Sequence, residues 1–77
     1  MGGWIFPQFI HKEVDVKNLD DSMLIYYHDN LHVLWGKLEE GYHFDWSFLE
    51  VYKLHHAIVK EMGNRNIPHY APINDLD

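Results

Sequence analysis

The stretch LIYYHDNLHVLWGKLEEG, residues 24–41, decides how the rest of the chain is read. Leu24, Tyr27, Leu31, Leu34 and Leu38 recur at spacings of three and four, which is the signature of a helix with one apolar stripe. Asp20 or Asp21 stands just ahead of it and can cap the first turn, because a carboxylate there accepts from free amides and complements the helix dipole. Gly41 supplies the stop.

A second helix follows in DWSFLEVYKLHHAIVKEMG, residues 45–63. Ser47 with Glu50 has the spacing of a capping box, in which the hydroxyl takes one orphan amide and the carboxylate reaches back to another. Phe48, Val51, Leu54, His55, Ile58 and Met62 form its stripe, and Gly63 or Asn66 can end it in a left-handed conformation. The linker EGYHFD, residues 40–45, is short enough that the two helices pack as antiparallel neighbours. The expected fold is therefore all-α, a two-helix hairpin over residues 19–63 within a single domain.

Two extended flanks are expected around it. The arm, residues 1–18, carries WIFPQFI, where Pro7 forbids a helix interior. The alternation in HKEVDVK, residues 11–17, predicts a short edge strand with Val14 and Val16 on one face. Trp4, Phe6 and Phe9 either fold back over the core or anchor a partner or a second copy of the chain, since large aromatics dominate such contacts. The tail, residues 64–77, holds two prolines and spaces Ile67, Tyr70, Ile73 and Leu76 by three, so it can lay one face along the hairpin.

Composition narrows the function. A chain of 77 residues has little core of its own and needs a metal, oligomerisation or dense aromatic packing to hold its fold. It contains no cysteine, so disulfides are excluded and any metal site must use His, Asp or Glu. Twelve acidic residues against six basic ones give a net charge of −6, which argues against direct binding to a nucleic-acid backbone. No apolar run approaches the roughly 20 residues that span a bilayer. The N-terminal stretch lacks the basic start and small-residue cleavage site of a secretory signal. A cytoplasmic or virion-associated protein without membrane contact is the expectation.

The histidines carry most of the chemical content. His28 and His32 lie four apart and so project from one helix face, one turn above the other. In an antiparallel hairpin turning near residues 41–46, facing positions have numbers adding to about 87, which sets His32 opposite His55. His69 follows closely enough for the tail to return towards His28, making a possible set of four ligands: His28, His32, His55 and His69. His56 sits about 100° further round its helix and should face solvent. Neutral imidazole is a common ligand for zinc and suits other divalent transition metals. The leading expectation for these rings is that they are core histidines hydrogen-bonded to tyrosines, carbonyls or carboxylates, with the metal site as the alternative. HDNLH, residues 28–32, also has a short likeness to the HExxH pattern, with Asp29 in the place of the glutamate base.

The runs HDNLHVLW, LHHAIVKEM and NRNIPHYAPI, with the closing DLD, resemble a helical segment of uncharacterised phage and archaeal or archaeal-virus proteins. The resemblance covers residues 19–77 and rests on His28, His32, Trp35, His55, Glu61, Met62, Arg65, His69 and Pro72. It implies an accessory role beside larger nucleic-acid-processing or virion modules. The leading expectation is a small non-enzymatic interaction or assembly protein that docks through its aromatic arm, as an oligomer or with another protein. A divalent-metal-binding accessory domain is the alternative, and a small metal-dependent hydrolase with Asp29 or Glu61 as base is a third.

Overall fold

Asp20 settles where the first helix begins. Its carboxylate accepts from the Met23 amide at 2.8 Å, leaving Asp21 free for a different role. In the computed structural model, which describes residues 10–68 and Leu76, helix α1 spans Asp21–Glu39 and helix α2 spans Phe48–Asn64. The capping box at the start of α2 forms as its spacing predicts. The Ser47 amide donates to the Glu50 carboxylate at 2.7 Å, and the Glu50 amide donates to the Ser47 hydroxyl at 3.1 Å.

Both helices end in the same way. The Gly41 amide donates to the Leu38 carbonyl and the Tyr42 amide to the Lys37 carbonyl, each at 3.1 Å. After α2, the Asn66 amide donates to Gly63 at 3.2 Å and the Ile67 amide to Met62 at 2.9 Å. These paired bonds define a Schellman motif, which requires a left-handed residue just past the helix. Gly41 fills that position with φ 100°, and Asn66 fills it with φ 59°.

The two stripes close on each other as an antiparallel hairpin. His32 meets His55 midway, and Arg65 at the end of α2 meets Asp21 at the start of α1. Leu24, Tyr27, Leu31, Leu34, Val51 and Ile58 are the largest fully buried side chains. Each such burial contributes about 1.5–3 kcal/mol relative to an exposed side chain. Ile10, Trp46 and Leu76 join this core, with Val14, Val16 and Ile67 packed against it. The flanks therefore contribute to the hydrophobic centre wherever they are described. No described helix is long and apolar enough to cross a membrane.

One expectation is corrected. HKEVDVK forms no edge strand: Val16–Asn18 is a single 3-10 turn, preceded by a turn at Lys12 and Glu13. Asp15 caps it, accepting from the Lys17 amide at 3.2 Å and the Asn18 side chain at 3.0 Å. A strand needs a neighbour to bond, and no described strand exists to pair with it. The local carboxylate offers the backbone an alternative. Val14 and Val16 still reach the core, but from a turn.

Candidate metal centre

The hairpin register brings three imidazoles into its interior. His28 and His32 come from successive turns of α1, and His55 comes from the middle of the α2 stripe. Their rings lie 4.7 Å (His28–His32), 5.2 Å (His28–His55) and 4.8 Å (His32–His55) apart between centroids. All three are buried, at 3–4% exposure. One possible ligand atom from each falls within 4.8 Å of the others. His56, one position further along α2, is exposed, as are His11 and His43. His69, the fourth expected ligand, and the expected partner anchors Trp4, Phe6 and Phe9 lie outside the described residues.

The closest approach is between His32 Nε2 and His55 Nε2, at 3.1 Å. That is a hydrogen bond in which one nitrogen donates and the other accepts, so the pair holds one proton between them. His28 is held differently. Its Nδ1 lies 3.2 Å from the Asp29 carboxylate, and its Nε2 is the buried nitrogen. Asp29 is itself exposed. His28 and Asp29 also line a pocket of about 160 Å³ with Ile25, Met62, Ile67 and Pro68. The trio is thus enclosed on the hairpin's axis and approached by a small apolar opening at His28.

The distances suit a transition metal. Zinc bonds imidazole nitrogen at about 2.0–2.1 Å, which sets tetrahedral ligand atoms about 3.4 Å apart. His32 and His55 already stand near that separation. Bringing the widest pair in from 4.8 Å takes a shift of about 1.4 Å, within the reach of side-chain torsions. Three neutral imidazoles leave a bound divalent ion with its full charge. Among the described residues these three form the group able to hold a metal.

Asp29, which the likeness to HExxH sets in the place of the glutamate base, lies with its carboxylate against the ring of its own neighbour His28. The adjacency of His and Asp in HDNLH was the signal for it. A second cluster went unread: Lys12 Nζ sits 5.4 Å above the Trp46 ring and pairs with Glu50 at 3.3 Å and Asp45 at 3.8 Å. It borders an open groove shared with Ile10, His11, Glu13 and Phe44. Arg65 is a four-way clamp, donating to Glu61 at 2.8 Å, the Leu19 carbonyl at 2.7 Å, Asp21 at 3.1 Å and the Lys17 carbonyl at 3.1 Å. Bonding to Glu61 first, then Asp21, raises its pKa further above the ordinary arginine value.

No protein-family model, curated protein or solved structure matches the chain. The functional reading therefore stands on the geometry of the hairpin alone.

Proposed function

We propose that this hairpin is a small non-enzymatic metal-binding module, holding one divalent transition metal, zinc by preference, through His28, His32 and His55. The carrying observation is the convergence of three buried imidazoles from two helices, with ligand atoms within 4.8 Å. One histidine on an apolar stripe is readily explained by packing. Three that meet in the centre of a core this small are what a nitrogen-ligated ion requires. An ion also answers the shortage of core in a chain of this length, since binding only the folded state stabilises it.

The test is a metal titration of chelator-stripped full-length protein, followed by elemental analysis and thermal melting. One equivalent of Zn(II) or Co(II) should bind per chain and raise the melting temperature. An ion at about 100 times its Kd adds about 2.7 kcal/mol. Acidification should release it, because imidazole ligates only when neutral. His55→Ala should abolish the effect, and the exposed His56→Ala should leave it intact. A melting curve indifferent to both metal and chelator would sink the reading.

A second reading, assembly with itself or with another protein, has its own observation. Tyr42, Phe48, Leu49 and Tyr52 are large apolar residues at 45–59% exposure, gathered on the linker and the first turns of α2. Hairpins often bury such surface by pairing into four-helix arrangements. Light scattering should then show a dimer or larger species, reduced to monomer by Leu49→Asp with Tyr52→Glu. A monomeric parent at micromolar concentration would remove self-association.

A further inference from the structure

We infer that Asp29 is the positioning residue of this centre, the group that makes His28 a ligand. The inference rests on the metal-binding reading above and extends it to a residue that touches no ion. An ionised carboxylate can only accept hydrogen bonds. With the Asp29 oxygen 3.2 Å from His28 Nδ1, a neutral ring carries its proton on Nδ1 and keeps the lone pair on Nε2. That nitrogen is the buried one. His32 and His55 also meet through Nε2, so all three rings can present the same atom to one ion once the proton between His32 and His55 is displaced. A carboxylate behind a ligating imidazole fixes the tautomer, aims the ring and increases its basicity.

Position supports the same role. Asp29 follows His28 directly on α1, about 100° further round the helix, and its carboxylate turns back to reach the ring at 3.2 Å. Its side chain is 67% exposed while that of His28 is 4% exposed. The charge therefore stays in water, where it is inexpensive to maintain, and only its hydrogen bond reaches inward. It lines the small pocket at His28 together with Ile25 and Met62.

The experiment compares full-length wild type with Asp29→Asn and, as a control for charge alone, Asp45→Asn. An asparagine can offer Nδ1 either an acceptor or a donor, so it no longer dictates the tautomer. Asp29→Asn should weaken Zn(II) or Co(II) binding by about 10–100-fold, with Asp45→Asn unchanged. Long-range proton–nitrogen spectra of the metal-free protein should show His28 protonated on Nδ1 in wild type and a mixture in Asp29→Asn. Equal affinities for wild type and Asp29→Asn, or equal losses in both variants, overturn the inference. So does a metal-free wild type protonated on His28 Nε2. If wild type binds no metal, the proposed function falls by itself, and the tautomer spectra still decide what Asp29 does.

Discussion

Asn66 is, among the described residues, the non-glycine residue with positive φ, at 59°. An L-residue pays roughly 1–2 kcal/mol for this backbone, less for asparagine, whose short side chain bonds locally. Asn66→Gly should therefore raise stability slightly, and Asn66→Ala should lower it by about 1 kcal/mol, both measured by urea unfolding. Equal stability of the two variants would mean that the left-handed turn is not maintained in solution. The sequence offered Gly63 and Asn66 as equal candidates for this stop. The helix runs through Gly63 because two more residues carry Arg65 to its acceptors on Glu61, Leu19 and Asp21, and those partners are invisible in a local reading. Ile58 was legible without such help. Its place on the stripe predicted burial, it is fully buried, and Ile58→Ala should cost about 2–5 kcal/mol.

At the scale of the element, the capping box carries a pH dependence. The Ser47 amide, then Lys12, favour the ionised form of Glu50 and hold its pKa below the ordinary carboxylate value. A depressed folded pKa means that this stabilisation is complete above the ordinary carboxylate range and is lost as pH falls through the lowered value. Glu50→Gln should flatten that part of the acid unfolding profile, and an unchanged profile would discount the cap. Helix starts were legible because a cap is a local contract between residues three apart. The edge strand was misread for the opposite reason: alternation in HKEVDVK signals a strand only if a neighbour exists to pair with. Asp15 caps the segment as a turn instead, and no described strand lies beside it.

For the whole molecule, Arg65 joins the end of α2 to the turn before α1. One planar guanidinium serves four acceptors from residues 17 to 61. Lysine carries the same charge but cannot span that fork, so Arg65→Lys should lower the melting temperature despite conserving charge. A melting temperature equal to wild type would show the clamp to be dispensable. The antiparallel register was legible from linker length and helix period, which is why His32 could be set opposite His55 in advance. Arg65 was not, because its partners Lys17, Leu19 and Asp21 lie 44–48 positions away and no periodicity links them.

The bonded pair His32 and His55 occupies ground that the stripes would otherwise give to leucine. A chain selected only to fold would have placed hydrocarbon there, since a buried polar group is tolerated rather than sought. The double variant His32→Leu, His55→Leu should consequently outlast the metal-free parent in urea while losing the metal binding proposed above. Repeated rounds of random mutation, screened solely for solubility and heat resistance, should erase these histidines early and keep their leucine neighbours. Their survival through such a screen would instead make them packing residues, and natural selection on this hairpin would need no ion to explain it.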